Sequence, residues 1–296
     1  MPTPTTYKNE APATPKDFPA QHQNTQPGSE QQMNPKPIVD NPLYNGSNKL
    51  KDKVAVIAGG DSGIGQATAI AFAKEGANVV IIDIKNGSDA GETKNLVEKY
   101  NRKCVVMSCD LKDERSAVNT VTQIMQRMGK IDILVNNVAV QYPQNSIKDI
   151  TDAQLGLTFS TNVFSYFFMT KACLPHMQQG ASIINTTSAT AYKGDKTLID
   201  YSSTKGAIVS FTRSLSQSLA SKGIRVNAVA PGPVWTPLIP SSFTAAEVAQ
   251  FGKDTPLGRA AQPFELAPTY VYLASDDSAY MTGQVLHVNG GIITES

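Results

Sequence analysis

The length, composition and charge of the chain exclude several broad classes of protein. Of its 296 residues 41% are hydrophobic, which is enough to bury a substantial core. The formal net charge is +1, so no charge excess indicates a nucleic acid or a membrane surface as partner. The three cysteines are too few and too irregularly spaced for a disulfide framework or a thiolate site, and we expect no bound metal.

The chain carries no recognisable targeting segment. No run of about 18 apolar residues predicts a membrane span, and no charged start followed by an apolar stretch predicts a secretory signal. Since the first arginine is Arg102, an arginine-rich transit peptide is not indicated either. We therefore expect a cytoplasmic protein.

Residues 1–49 differ sharply from the rest of the chain. Half of the 18 prolines fall in the first fifty residues, among Gln, Asn and Thr, as in QHQNTQPGSEQQMNPKP. Such a segment buries too little apolar surface to offset chain entropy, which predicts a disordered tail. The alternative is an ordered arm that wraps this subunit or a neighbour, with anchors at Phe18, Ile38, Leu43 and Tyr44.

From residue 50 onward, short apolar runs alternate with amphipathic stretches of helical length. One such stretch, 201–221, has an apolar stripe that can face a sheet. The short runs are apolar on both faces, as buried parallel strands are. Residues 50–296 therefore predict one doubly wound α/β domain, whose parallel strands cover 54–58, 78–83, 103–108, 132–136, 182–187, 224–230 and 284–288.

The first predicted strand leads into the glycine-rich sequence AGGDSGIG at 58–65. Gly59, Gly63 and Gly65 lie between this strand and a helix that begins near Ile64, which is the context that a dinucleotide fingerprint requires. Glycines let the backbone approach a pyrophosphate, and the helix N-terminus offers free N–H groups and a positive dipole end. The turn therefore predicts a pyrophosphate site, with Ser62 in contact with a phosphate.

Asp83 ends the second predicted strand, 24 residues after Gly59. A carboxylate at this position can hydrogen-bond the adenosine ribose hydroxyls and would repel a 2′-phosphate, which favours NAD over NADP. Lys85 lies close enough in sequence to weaken this preference, so NADP stays open as the cofactor. In the other interpretation, Asp83 is a solvated residue at a strand end.

The tetrapeptide GDSG at 60–63 also matches the sequence around the nucleophile of trypsin-like proteases. That fold is all-β, whereas this chain alternates strands and helices. A triad needs a histidine base, and His22, His176 and His287 have no motif around them. The sequence therefore disfavours a serine hydrolase.

Tyr201 and Lys205 lie four residues apart in YSSTK, which opens the predicted helix 201–221. Residues at this spacing share one helix face. A neighbouring ammonium favours the phenolate, so we expect Lys205 to lower the pKa of Tyr201 and to make it a proton donor or acceptor. Alone, the pattern is common by chance and also fits an ordinary surface helix.

Two further polar residues support a catalytic interpretation. Ser188 follows a predicted strand, 13 residues before Tyr201, where its hydroxyl can hydrogen-bond a substrate oxygen as charge develops on it. Asn162 lies among apolar residues in TNVFSYFFMTKA and needs a buried partner or a water. A proton relay through water to Lys205 would be such a use.

Together these features resemble the short-chain dehydrogenase/reductase family over roughly residues 50–296. The resemblance implies a Rossmann fold with seven parallel strands and helices on both faces, NAD(P) as cofactor, and a homotetramer or dimer. The order and spacing of the matching pieces are specific: AGGDSGIG (58–65), Asp83, CDL (109–111), NNVA (136–139), Asn162, Ser188, YSSTK (201–205), PGPVWTP (231–237) and GQVLHVNGG (283–291).

The resemblance also implies roles for individual residues. Tyr201 would transfer the proton, and Lys205 would bind the nicotinamide ribose. Asn162 would hold the relay water and Ser188 would orient the substrate. The other residues assigned to the cofactor are Gly59, Asp61, Ser62, Gly63, Ile64, Gly65, Asp83, Asp110, Leu111, Asn137, Ala139, Pro231, Gly232, Val234 and Thr236.

The chain departs from the family pattern at two positions. Ala58 replaces the usual Thr, which removes one side-chain hydrogen bond, and Ala139 adds a methyl group where the family has Gly. We expect a small backbone adjustment rather than loss of cofactor binding. The Pro/Gln-rich leader resembles that of a bacterial subgroup of oxidoreductases, some of them linked to general stress.

In this fold the substrate lies beyond the carboxyl ends of the strands. Since no Arg or Lys clusters in the expected walls, we expect a neutral aldehyde, ketone, sugar or secondary alcohol. Residues 236–262, rich in Pro and Gly around one short helix, are expected to form a mobile lid. The residues expected near the substrate are Ser188, Gln141, Tyr192, Trp235, Leu238 and Ile239, although Tyr192 and Trp235 equally fit a role in packing the lid.

The sequence therefore predicts an oxidoreductase that transfers a hydride between NAD(H) and a small neutral alcohol or carbonyl compound, with Tyr201 as general acid/base. Two alternatives stay open: an NADP(H)-dependent carbonyl reductase, and a catalytically silent sensor or scaffold that only binds dinucleotide. The set of Ser188, Tyr201 and Lys205 argues against the silent protein, because pure binding does not need it.

Overall fold

A seven-stranded sheet forms the centre of the computed structural model, which describes residues 12–84 and 87–294. Its order is β3-β2-β1-β4-β5-β6-β7, and all neighbouring strands are parallel. The predicted doubly wound fold is confirmed, and every strand lies within one residue of its predicted bounds. The strands are β1 Val54–Ala58, β2 Asn78–Asp83, β3 Cys104–Ser108, β4 Ile133–Asn136, β5 Ser182–Thr186, β6 Arg225–Pro231 and β7 Val285–Val288.

Helices cover both faces of this sheet. In the described ranges, no helix is long and apolar enough to cross a membrane. A π-helical turn, Ser160–Phe164, joins α4 to α5, and short 3-10 turns include Glu30–Gln32 in the leader. The α-helices are α1 Gly63–Lys74, α2 Ser88–Glu98, α3 Glu114–Met128, α4 Asp152–Phe159, α5 Ser165–Cys173, α6 Thr190–Lys193, α7 Ile199–Leu219, α8 Ala245–Val248 and α9 Pro263–Ala274.

The strands bury side chains on both faces, which explains their almost continuous apolar sequence. On one face, Ala55 of β1 shares a cluster with Phe72 of α1 and Tyr270 of α9. On the other face, Val56 shares a cluster with Ile124 of α3. Successive residues of a strand therefore pack into two separate hydrophobic clusters, so polar side chains are disfavoured on both faces of the sheet.

The parallel register brings the carboxyl ends of the central strands together. Ala58 of β1 pairs with Ile82 of β2 and with Asn136 of β4, and Asn136 in turn pairs with Asn185 of β5. Side chains and loops that follow these strands therefore converge at one edge, where doubly wound folds bind their ligands. The glycine-rich turn lies at this edge.

Residues 12–49 lie along the domain as an arm. Phe18 is buried and stacks on Trp235, with ring centroids 3.8 Å apart and planes inclined by 10°. The Trp235 indole N–H donates to the Pro35 carbonyl at 2.9 Å, and the Gln23 N–H donates to the Pro240 carbonyl at 2.7 Å. In its described part the leader is thus an arm and not the disordered tail that its composition favoured.

Further along, the same arm is fixed to α1 and α9. The Lys74 ammonium of α1 lies 2.6 Å from an Asp40 carboxylate oxygen, and the Tyr44 hydroxyl donates to Glu75. The N–H of Ile38 donates to the Gln262 side chain at 2.9 Å. Of the four expected anchors, Phe18 is buried, whereas Ile38, Leu43 and Tyr44 are half-buried.

We expect Phe18→Ala to loosen the arm, because it removes the ring that covers Trp235. Truncation of a buried Phe costs about 3 kcal/mol or somewhat more of unfolding free energy. Trp235 is the single tryptophan of the chain, so its fluorescence should shift to the red when the ring is uncovered. Denaturant unfolding and emission spectra measure both effects. The exposed Gln31→Ala is the control, and an unchanged spectrum in Phe18→Ala would contradict the docking of the arm.

Candidate active site

The turn between β1 and α1 depends on a close backbone approach. A Cβ at Gly65 would lie 1.9 Å from the carbonyl oxygen of Gly59, a distance that no side chain permits. Gly59 and Gly63 have φ angles of +77° and +52°, which L-residues rarely adopt. Asn137, which directly follows β4, donates from its side chain to the Gly59 carbonyl at 2.9 Å. This cradle at the N-terminus of α1 fits a pyrophosphate.

A cleft of about 1010 Å³ opens over this edge of the sheet. Its size and mixed lining fit a dinucleotide together with a small second ligand. Gly65 packs against the Gly59 carbonyl and does not line the cleft. The other residues assigned to the cofactor all line this cleft, namely Gly59, Asp61, Ser62, Gly63, Ile64, Asp83, Asp110, Leu111, Asn137, Ala139, Tyr201, Lys205, Pro231, Gly232, Val234 and Thr236.

Two carboxylates line the cleft near the end of β2. Asp83 accepts hydrogen bonds from the backbone N–H groups of Ile84 at 2.6 Å and Gly87 at 3.4 Å. Burial raises the pKa of Asp61 to about 7, and the charge of Asp83 acts in the same direction. Lys85, which was expected to weaken the effect of Asp83, lies outside the described residues.

Tyr201 and Lys205 lie together on α7, which begins at Ile199, two residues before Tyr201. The Lys205 ammonium lies 5.5 Å from the centre of the Tyr201 ring and donates to the Thr186 carbonyl at 2.9 Å. Both residues line the cleft, as does Ser188 at the end of β5. The structure thus brings three of the four expected catalytic residues to one wall.

Burial dominates the protonation of this pair. It raises the pKa of Tyr201 to about 12, while a hydrogen bond with Ser188 acts in the opposite direction. It lowers the pKa of Lys205 to about 7. The expected lowering of the Tyr201 pKa by Lys205 is not found: burial raises this pKa, and the opposing effect comes from Ser188. The sequence does not reveal how deeply the phenol lies in the protein.

Comparison with known proteins decides the family. A family model described as enoyl-(acyl carrier protein) reductase matches residues 58–293. NADH-dependent reductase A1-R′ complexed with NAD superposes with a TM-score of 0.74 at 28% identity, over 84% of this chain and 99% of that chain. A short-chain dehydrogenase from Burkholderia cenocepacia J2315 in complex with NADP gives a TM-score of 0.77 at 26% identity, over 82% of this chain and 98% of that chain.

The chain belongs to the short-chain dehydrogenase/reductase family. It is therefore an oxidoreductase that depends on NAD or NADP.

Curated relatives match over nearly their full length. The uncharacterized oxidoreductase YhdF of Bacillus subtilis is 60% identical over 92% of this chain and 94% of its own. Glucose and ribitol dehydrogenase from Daucus carota is 51% identical over 93% of this chain and 97% of its own. NADPH-dependent aldehyde reductase 1, chloroplastic, from Arabidopsis thaliana is 47% identical over 93% of this chain and 98% of its own.

Asn162, the fourth residue that the family pattern assigns to catalysis, does not line the cleft. It is fully buried in the π-helical turn. Its amide donates to the Val140 carbonyl at 2.9 Å and to the Thr204 hydroxyl at 3.1 Å, and it accepts from the Val140 N–H at 2.8 Å. Its side chain thus ties the loop after β4 to α7, and the relay water that the resemblance assigns to this residue stays a prediction.

The residues expected near the substrate divide into two groups. Two of them, Tyr192 and Trp235, do not line the cleft, whereas the others do, namely Gln141, Ser188, Leu238 and Ile239. Trp235 is fully buried against Phe18 of the arm. Tyr192 packs edge-on against His287, with ring centroids 4.6 Å apart. These two aromatic residues therefore fit the packing interpretation, because the arm and β7 cover them.

The arm supplies part of the cleft wall, which the sequence did not predict. Gln26, Pro27 and Gly28 line the cleft. The Gln26 side chain donates to the Gln141 carbonyl at 2.6 Å and accepts from the Gln141 N–H at 3.3 Å. Sequence composition does not reveal these two hydrogen bonds, because they depend on a tertiary contact and not on a local motif.

The charges of the lining also differ in detail from the expectation. Besides Lys205, three lysines line the cleft, but carboxylates accompany them. The charged side chains concerned are Lys112, Lys193, Lys253, Asp110, Asp195, Glu247 and Asp254. The lining therefore carries charges of both signs rather than a cluster of cations.

The hydrolase alternative has no geometric support in this family member. The Ser62 hydroxyl donates to Asp61 at 3.0 Å, and no histidine occurs among the described residues that line the cleft. His22 contacts the Phe243 carbonyl at 2.8 Å and His287 the Thr294 hydroxyl at 3.0 Å. Among the described residues, no histidine that lines the cleft is therefore available as a base for Ser62.

We expect Gly65→Ala to disrupt the turn, because its methyl group would overlap the Gly59 carbonyl. Overpacking of this kind costs about 3 kcal/mol of unfolding free energy, and NADH affinity should fall strongly. Gly91→Ala is the control: nothing lies within 4 Å of a Cβ there, so the helix should gain about 0.5 kcal/mol. Thermal unfolding and NADH titration measure both effects, and wild-type affinity in Gly65→Ala would contradict the proposed cradle.

Proposed function

We propose that the chain transfers a hydride between NAD(H) and a small neutral alcohol or carbonyl compound, with Tyr201 as general acid/base. The observation that carries the proposal is the position of Tyr201: it is buried, it lines the cleft that holds the glycine-rich turn, and the Lys205 ammonium lies 5.5 Å from its ring centre. A bound nicotinamide dinucleotide supplies the hydride donor or acceptor. The protein supplies orientation and the proton.

The residues of α7 and β5 divide this task. Ser188 accepts from the Thr190 N–H at 3.1 Å and from its hydroxyl at 3.0 Å, which orients the Ser188 oxygen beside Tyr201. With a pKa of about 12, Tyr201 keeps its proton at neutral pH and is ready to donate it to a carbonyl oxygen. In the oxidative direction the phenolate form of Tyr201 accepts the proton, and a charged Lys205 ammonium nearby favours that form.

NAD is the proposed cofactor, and NADP is the alternative. Asp83 and Asp61 support NAD, because a 2′-phosphate would bring further negative charge to this acidic end of the cleft. NADP is favoured by one relative, which is named for its use of NADPH. The two carboxylates belong to this chain and line its own cleft, and they therefore support NAD here.

A neutral polyol, sugar or aldehyde is the proposed substrate class. The lining of the cleft combines apolar side chains such as Leu157 and Leu198 with Gln141 and Thr190, and its charges are mixed in sign. Relatives named for glucose and ribitol and for aldehydes agree with this class. The alternative to an enzyme is a catalytically silent sensor that only binds dinucleotide. The expected homotetramer stays a prediction.

We expect Tyr201→Phe to reduce turnover by about 10²- to 10⁴-fold, because it removes the group that transfers the proton. NADH affinity should be nearly unchanged, since the ring stays in place. Initial rates of aldehyde reduction and ribitol oxidation measure the first effect, and fluorescence titration measures the second. Tyr280→Phe, on an exposed side chain, is the matched control.

A Tyr201→Phe protein with the full wild-type rate would contradict the role of the tyrosine. Tight NADH binding without turnover of any polyol, sugar or aldehyde in the wild type would instead favour the silent sensor.

A further inference from the structure

Glu30 of the arm lies at the first residue of α1, where the glycine-rich turn leads into the helix. Its carboxylate accepts a hydrogen bond from the backbone N–H of Gly63, the first residue of α1, at 2.9 Å. Gln66, with its amide oriented to satisfy both ends, donates to the other carboxylate oxygen at 2.7 Å. Glu30 is only 6% exposed. One of the N–H groups that this turn offers to a diphosphate is therefore bonded to a carboxylate of the chain itself.

The charged groups that face Glu30 are acidic. Asp61 lies near it on the turn, and Asp89 and Glu92 lie near it on α2. The Glu30 N–H donates to one Asp89 oxygen at 2.8 Å, while the other is buried and has no hydrogen-bond partner. Within the described ranges, the cation beside this group is the exposed Lys36, whose ammonium lies 3.9 Å from Glu92. Further negative charge at this place is therefore poorly compensated.

We propose that Glu30 is a positioning residue of the dinucleotide site: binding of the diphosphate drives a proton onto this carboxylate, so that affinity for the dinucleotide falls as the pH rises. The proposal uses only the binding of a nicotinamide dinucleotide at the glycine-rich turn. It does not depend on the proposed substrate or on the preference between NAD and NADP.

The direction of the effect follows from linkage. Burial raises the pKa of Glu30 to about 7, the Gly63 N–H opposes this shift, and Asp89, Glu92 and Asp61 reinforce it. A diphosphate at the same helix end adds like charge and favours the protonated carboxyl group further. Below about pH 7 the group is already largely protonated, so binding takes up little proton; above it, binding takes up a proton and affinity falls by up to tenfold per pH unit.

Calorimetric titration of the full-length protein with NADH tests the proposal. Measurements in two buffers with different ionisation enthalpies give the number of protons taken up. At pH 7.5 we expect roughly one-half to one proton per NADH bound, and about tenfold weaker binding at pH 8.5 than at pH 6.5.

Glu30→Gln isolates the charge, because the amide keeps the shape and its oxygen still accepts from Gly63. We expect this variant to lose most of the proton uptake and to bind NADH about tenfold more tightly than the wild type at pH 8.5. Glu92→Gln is the matched control: it removes a like charge without touching the turn, so proton uptake should persist, with its midpoint moved to slightly lower pH because Glu92 helps to raise the pKa of Glu30. Unchanged Trp235 fluorescence in both variants shows that the arm is seated.

Two results would overturn the proposal. A wild-type affinity that is constant from pH 6.5 to pH 8.5 excludes the coupling altogether. A proton uptake that persists in Glu30→Gln places the proton on another group, such as Asp61. Because both results concern binding alone, a failure of the proposed hydride transfer leaves the test intact.

Discussion

The close approach of α1 to the end of β1 is the constraint on which the rest of the cleft depends. Because Gly65 has no side chain, the Gly59 carbonyl lies against the start of α1 and also accepts the Asn137 amide. The Asn137 side-chain oxygen accepts from the Thr186 hydroxyl at 3.0 Å, and the Thr186 carbonyl accepts the Lys205 ammonium at 2.9 Å. One continuous chain of hydrogen bonds therefore joins the glycine-rich turn to Lys205.

This arrangement has a cost in stability. Lys205 and Glu30 are buried and Asp61 is half-buried, and burial shifts the pKa of each in the direction that favours its neutral form. Such groups destabilise the fold unless a bound ligand or a precise set of partners compensates for their desolvation. The stacked Phe18 and Trp235 and the ion pair of Lys74 with Asp40 fasten the arm at positions away from this cluster. The arm is thus held by the well-packed Phe18, while its Glu30 lies among acidic groups near the turn.

The sequence predicted those features that depend on local patterns. Strand bounds followed from short apolar runs, because both faces of the sheet are buried, and the turn followed from glycines whose φ angles exclude other residues. The packing of Trp235 against Phe18 could not be predicted, because it joins residues more than two hundred positions apart. The amide partners of Asn162 and the raised pKa of Tyr201 also depend on tertiary burial. Composition alone gave the wrong expectation for the described part of the leader for the same reason.

The proposed preference for NAD rests on the turn, Asp83 and Asp61, which together would disfavour a dinucleotide that carries a 2′-phosphate. Equilibrium binding of NADH and NADPH, measured by fluorescence at one fixed ionic strength, is the most direct test of this claim. We predict that NADH binds about tenfold more tightly, a difference near 1.4 kcal/mol. Equal or tighter binding of NADPH would contradict it, and would mean that a cation overrides the two carboxylates.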